Sequence, residues 1–214
     1  MKNLIAYTTQ HLTSNQIINM FVKGVSKNSN KWNVKKLDIN EFLRFGFPKN
    51  TDAIVVHGIL RGTGLAVKEA IKNRIDYFYI DHAYFDAGYK GEFWNRVSKN
   101  RHTMNYVREV NDIRWDTIKN NIKIEPWKKN RNRGKNILII PPTHAIQWFF
   151  NDKEWYKNII LYLSKQFDDK FMNRVKVRKK PNDPVVDNYG NLLFFEKPFN
   201  IRKIVSFAKY LLKK

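Results

Sequence analysis

The 214-residue chain contains no cysteine. Disulfide scaffolds, thiolate nucleophiles and cysteine-ligated zinc are therefore excluded. It has no apolar run approaching the roughly 18 residues that a helical membrane span requires. Its start, Met1-Lys-Asn-Leu-Ile-Ala-Tyr7, lacks the extended apolar stretch of a secretory signal. The five histidines, at positions 11, 57, 82, 102 and 144, form neither H-x-x-x-H nor H-E-x-x-H. No dedicated metal site is expected on that basis, and no cofactor is expected. The absence of G-x-S-x-G argues against a nucleophile elbow. Acidic residues are scarce: 19 Asp+Glu stand against 40 Lys+Arg, a formal net charge of +21. The expectation is a soluble, cytoplasmic, globular protein.

Hydrophobic residues make up 43% and aromatics 14% of the chain, enough to build a core. The charge reads in two ways. A sequence pI near 10.0 suits a polyanionic partner: nucleic acid, a phosphorylated ligand or an anionic membrane surface. A lysine- and asparagine-rich composition also arises from coding bias alone. The charge is uneven: residues 1–120 carry 19 basic and 11 acidic groups, and residues 121–214 carry 21 and 8. The shorter part is the more basic, which points to a localised anion-binding face.

Strands and helices alternate along the first segment. Asn3–Tyr7 predicts a buried strand, Thr13 or Ser14 caps a helix to about Lys23, and Asn33–Leu37 is a second strand. Asp52–His57 is a buried strand, followed at once by a glycine-rich turn and a helix over Leu65–Asn73. Asp76–Asp81 is the next strand. Strand, turn, helix, strand is a βαβ unit, which implies a parallel sheet covered by helices. Beyond a loop from residue 82, short strands are predicted over Phe93–Ser98 and Asn105–Arg108 and a short helix over Ile113–Asn120. The basic stretch Lys128-Lys-Asn-Arg-Asn-Arg-Gly134 reads as a linker. The pattern then restarts: a strand over Asn136–Ile140, a helix from Asn151 or Asp152 to Phe167, and strands over Arg174–Arg178 and Leu192–Phe195. A final amphipathic helix follows Pro198. The fold class is α/β with two Rossmann-like βαβ units, the second incomplete. The expected organisation is an N-terminal domain 1–127, a linker 128–135 and a partial domain 136–214.

The chemistry-bearing residues fall at strand ends, where open α/β sheets bind ligands. Gly58, Gly62 and Gly64 let backbone N–H groups approach an anion, and Arg61 adds a bidentate donor to phosphate or carboxylate. The turn is neither a P-loop nor G-x-G-x-x-G, and a tight βα turn serves equally as explanation. Asp81-His82 pairs a carboxylate with an imidazole, a combination suited to general-base catalysis; a capped loop and a structural histidine are the plainer alternative. Thr143 and His144 follow the strand of the second unit, and Arg178 and Lys180 end another strand there. Thr143 and His144 suit a ligand cradle across the cleft from Asp81 or a plain rigid loop; Arg178 and Lys180 suit phosphate or form a solvated basic patch. His11 is a further cleft candidate.

Taken in order, Gly58-Ile-Leu-Arg-Gly-Thr-Gly64, Tyr79-Ile-Asp-His-Ala-Tyr-Phe85, Phe93-Trp-Asn-Arg-Val-Ser-Lys-Asn100, Trp127 and Ile137-Leu-Ile-Ile-Pro-Pro-Thr143 resemble a family of glycosyltransferase-like proteins of bacteriophages. The resemblance covers about residues 1–180 and implies a GT-B type enzyme of two Rossmann-like units. It implies a nucleotide sugar as donor, bound mostly by the second unit, and an acceptor held by the first. Asp81 or His82 would then deprotonate an acceptor hydroxyl, and Arg61, Arg178 and Lys180 would neutralise the diphosphate leaving group. Modified phage DNA is one acceptor that the basic charge suggests. The chain departs from the family pattern in lacking its donor-site segment, so a C-terminal truncation is expected. That would leave a sheet edge open to self-association as a homo-oligomer. The competing expectation is a non-catalytic basic protein, derived from a truncated transferase, that binds nucleic acid or serves in assembly.

Overall fold

The computed structural model describes residues 1–82, 95–102, Asp116, Lys119, 136–180 and 182–196. The predicted strand over Asn105–Arg108, most of the helix over Ile113–Asn120, the linker 128–135 and the helix after Pro198 lie outside the described residues.

The chain is mixed α/β with a mostly parallel central sheet. Strands β1 (Lys2–Thr8), β2 (Trp32–Asp38), β3 (Ala53–His57), β4 (Asp76–His82) and β5 (Asn95–Lys99) form one sheet in the order β2-β1-β3-β4-β5. The first four run parallel and β5 returns antiparallel. Helices α1 (Leu12–Asn28), α2 (Ile39–Phe45) and α3 (Thr63–Lys72) connect the parallel strands, an arrangement compatible with a Rossmann-like unit.

The central strands are apolar without interruption because both faces of the sheet are covered. Side chains alternate between the faces with the pleat. Leu4, Ala6, Ala53, Val55 and Ile80 meet Ile17 and Ile18 of α1. Ile5, Tyr7, Ile54, Val56 and Tyr79 meet α2 and α3 on the opposite face. Helix α2 was not anticipated from the sequence. Its seven residues are too few to show a periodic stripe, but Asp38 caps it by accepting from the Asn40 N–H at 2.8 Å, with Glu41 in its first turn.

The second segment also yields a βαβ unit. Strands β6 (Ile137–Ile139) and β7 (Val175–Val177) pair in parallel and are joined by α4 (His144–Phe149), α5 (Trp155–Gln166) and α6 (Asp169–Met172). The predicted helix from Asn151 or Asp152 to Phe167 begins later, at Trp155, and a further helix, α4, precedes it. Thr143 starts α4, its side chain accepting from the Ile146 N–H. The predicted strand over Leu192–Phe195 is not isolated: β8 (Asp183–Val186) and β9 (Leu192–Glu196) form an antiparallel hairpin. A proline in β8, Pro184, obscured that strand in the sequence.

One side chain ties this segment to the first sheet. Trp148 of α4 is buried in the same core as Ile59, Ala66 and Val67. Its indole N–H donates to the Asn188 carbonyl at 3.0 Å. Its ring stands against Gly190, where an added Cβ would lie 2.3 Å from the indole, and against Gly64, where it would lie 2.8 Å away. Lys68 lies over the ring at 4.3 Å from its centroid and donates to the Trp148 carbonyl and the Asn151 side chain.

Gly190→Ala should therefore destabilise the protein by about 2–4 kcal/mol, since it overpacks the indole and sits at a φ of +80°. Gly24→Ala, in the interior of α1 with nothing near its would-be Cβ, should stabilise it by about 0.5–1 kcal/mol. Thermal or urea unfolding of the two variants checks both signs.

Candidate functional site at the carboxyl edge of the sheet

Strand β1 lies between β2 and β3. The chain leaves β1 towards β2 and then crosses to β3 on the other side. The loops after β1 and β3 therefore diverge at the carboxyl edge, the place where open α/β sheets bind ligands. The residues after β1, β3 and β4 meet there.

After β1, Thr9 and Asn15 lock the turn into α1. The Thr9 N–H donates to the Asn15 side-chain oxygen at 2.8 Å, and the Asn15 amide donates back to the Thr9 carbonyl at 2.6 Å. His11 caps α1, its Nδ1 accepting from the Ser14 N–H at 3.3 Å. No acidic residue lies in the first turn of this 17-residue helix, so its positive end is not neutralised by its own side chains.

After β3, the turn is held from within. The Gly58 N–H donates to the Ile80 carbonyl at 2.9 Å, and the Gly64 N–H donates to the Ile59 carbonyl at 3.2 Å. The Thr63 hydroxyl is wholly buried between the Gly58 and Leu60 carbonyls. Gly58 and Gly62 have φ of +68° and +88°, and Arg61 between them has φ +63°, a left-handed conformation that a non-glycine residue adopts at a cost. Gly64 answers to packing against Trp148 and Ile59. Arg61 makes no ion pair among the described residues, yet its charge acts on both His11 and His57.

The pleat of β4 sends its last two side chains to opposite faces. His82 joins His57 on the α1 face, with ring centroids 5.8 Å apart in an edge-on arrangement. Asp81 goes to the other face. There it accepts from the Tyr79 hydroxyl at 2.9 Å and from Arg96 at 3.4 Å, with His102 at 3.8 Å. Arg96 is its register partner on β5. The adjacent pair seen in the sequence thus divides its labour: Asp81 sits in a network of donors, and His82 stands at the exposed edge.

His57 Nδ1 lies 3.2 Å from the Ser14 hydroxyl. Its Nε2 is buried and has no hydrogen-bond partner among the described residues. Burial first, then the neighbouring His82, His11 and Arg61, lower its pKa to about 4, against a smaller opposing pull from Asp81. His11 is lowered by its own burial and by Arg61. The edge therefore presents neutral imidazoles beside a cation near neutral pH. Ser14, Asn15 and His57 carry this arrangement and were not named as site residues from the sequence. Ser14 and His57 are 43 positions apart, and only the strand order brings them together.

The other predicted residues gather at the carboxyl end of the β6–β7 pair. Thr143 and His144 start α4, and the His144 N–H donates to the buried carboxylate of Asp183 at 2.9 Å. Arg178 follows β7, with its N–H on the Ile139 carbonyl, and Lys180 is exposed. A cavity of about 550 Å³ adjoins this end, lined by Ile140, Pro142, Ile146, Gln147, Phe150 and Trp155 among others. Another of about 480 Å³ lies at the opposite, amino end of the large sheet, beside Leu4, Phe21, Trp32 and Phe78. Among the described residues, no group of three or more histidines and carboxylates is placed to hold a metal ion, and no helix is long and apolar enough to cross a membrane.

No family model matches the chain, and no curated protein matches it significantly.

The His57 environment has a consequence for stability. Below about pH 6.5 the unfolded chain takes up a proton at this histidine while the folded chain does not, so stability falls as pH drops from about 6.5 to about 4. This contribution is on the order of 2–3 kcal/mol. A His57→Gln variant should lose correspondingly less stability across that window in urea unfolding at stepped pH.

Proposed function

We propose that the chain is a transferase of the glycosyltransferase-like type, moving a glycosyl group from a nucleotide sugar to an acceptor hydroxyl, with its acceptor-side chemistry at the carboxyl edge of the five-stranded sheet. The observation that carries this reading is the meeting of Arg61, which has no ion-pair partner among the described residues, with His11, His57 and His82 at the point where the strand order reverses. A cation on a strained turn, an acid-free helix N-terminus and the neutral imidazoles of His11 and His57 suit an anionic ligand that also presents a hydroxyl. The motif resemblance supplies the sugar chemistry. In the GT-B arrangement it implies, Thr143, His144, Arg178 and Lys180 at the carboxyl end of β6–β7 form the donor side.

The step follows from these roles. The acceptor hydroxyl oxygen attacks the anomeric carbon, and its proton passes to the imidazole of His82. The bond from that carbon to the diphosphate oxygen breaks, and the electron pair leaves with the diphosphate. Arg61 offsets the developing charge. Asp81 holds Tyr79, Arg96 and the end of β4 in place, so its role is positioning.

Transfer from a panel of labelled nucleotide sugars is the test. His82→Ala should lower the rate by about 10²–10⁴-fold, the usual contribution of a general base. Asp81→Asn should lower it less. Arg61→Gly should change stability by no more than about 1 kcal/mol while weakening nucleoside diphosphate binding at least about tenfold. Transfer undiminished in His82→Ala contradicts the assignment.

A further inference from the structure

The charge of the chain has a second focus, away from the carboxyl edge. Residues 153–180, which run through α5, α6 and β7, carry nine Lys/Arg and three Asp/Glu. Two of those acids are occupied within the segment. Glu154 pairs with Lys157, and Asp168 caps α6 by accepting from the Phe171 N–H at 2.8 Å. Nearly every basic side chain here is on the surface: Lys157, Lys165, Lys170, Lys176, Arg178 and Lys180 are all exposed.

Aromatic rings are interleaved with these cations. Helix α5 buries no residue fully. Lys157, Leu161 and Lys165 recur at every fourth position and so share one face, with Tyr162 beside them. Tyr162 is 61% exposed, and Phe167 at the end of α5 is 45% exposed. Phe167 stacks on Phe171 of α6 at 3.9 Å between centroids and 13° between planes, which fixes the ring while leaving much of it open to solvent.

We propose that the α5–α6–β7 surface binds single-stranded nucleic acid, its lysines and arginines following the phosphates and the rings of Tyr162 and Phe167 stacking on bases. Charge complementarity selects a polyanion. Exposed rings held among cations select unpaired bases, because every base offers a face for stacking once it is out of a duplex. An anionic bilayer fits less well: its apolar contact must be continuous, and on this helix face Lys157 and Lys165 bracket Leu161. The proposal does not rest on glycosyl transfer, and either can fail alone.

Fluorescence anisotropy with a labelled oligothymidylate of roughly 20 nucleotides tests it. Affinity should fall steeply as salt rises from about 50 to 200 mM, and a duplex of the same length should bind at least about tenfold more weakly. The variant combining Lys157→Gln, Lys165→Gln, Lys170→Gln and Lys176→Gln should lose about 100-fold in affinity and flatten the salt dependence. Tyr162→Ala should lose about 5- to 100-fold with the salt dependence unchanged. Lys23→Gln with Lys27→Gln, on α1, should leave binding as it is. Unchanged binding in both surface variants, tighter binding to the duplex, or capture by anionic phosphatidylserine vesicles with no oligonucleotide binding would each overturn the proposal.

Discussion

Trp148 stands where only hydrogen fits on two sides. Gly190 meets it from the β8–β9 hairpin and Gly64 meets it from the start of α3. Its indole is thereby fixed, and with it the docking of the second segment on the first sheet. The same contact fixes the turn before α3. With Gly64 against the indole and Thr63 buried beneath Gly58 and Leu60, the chain from His57 to Thr63 has no slack. Arg61 is held at the carboxyl edge in a conformation it would not choose freely. A glycine-rich turn after a strand is commonly a phosphate cradle. Here Gly64 serves core packing, and the part left for a ligand is the guanidinium beside the imidazoles.

The second constraint is the pleat. A strand two residues past its neighbour's end delivers consecutive side chains to opposite faces. β4 uses this to separate the exposed His82 imidazole from the charged network around Asp81. His82 meets His57 and α1, while Asp81 meets Tyr79, Arg96 and His102. Burial and the Asp81 carboxylate hold the Tyr79 hydroxyl well above its ordinary pKa, so it remains a donor to that carboxylate. Burial holds His102 below its ordinary value against the pull of Asp81. The network therefore carries Arg96 as its firm positive charge.

Much of this architecture was legible in the residues. β1, β3 and β4 are apolar on both faces, so their runs are visible without neighbours, and the glycine-rich turn between β3 and α3 marks the βαβ unit. β6 was legible as a short apolar run and β7 by the alternation of valine with cations. Short elements were not: α2 and α4 each span two turns or fewer, and only their caps, Asp38 and Thr143, announced them. β8 begins Asp183-Pro184, a pair that reads as a turn. For the site, Asp81 and His82 stood out because they end a strand, and Arg61 because it lies in the glycine-rich turn after one. Their grouping did not, because sequence adjacency suggested that Asp81 and His82 act together, whereas strand alternation parts them. Ser14 and His57 become partners only through the strand order β1-β3. The basic aromatic surface of α5 was hidden because Trp155, Ile159, Leu163 and Phe167 recur at every fourth position, which reads equally as a core-facing stripe.

The central claim is that the carboxyl edge, and Arg61 within it, receives an anionic ligand. Amide chemical-shift mapping of the isotope-labelled protein during titration with a nucleoside diphosphate tests it most directly. The largest shifts should fall in three separate stretches that only the fold unites: Thr9–Ser14, His57–Gly62 and Asp81–His82. Shifts confined to the amino end of the sheet, around Leu4, Phe21 and Trp32, or no saturable shift in those three stretches, would contradict it.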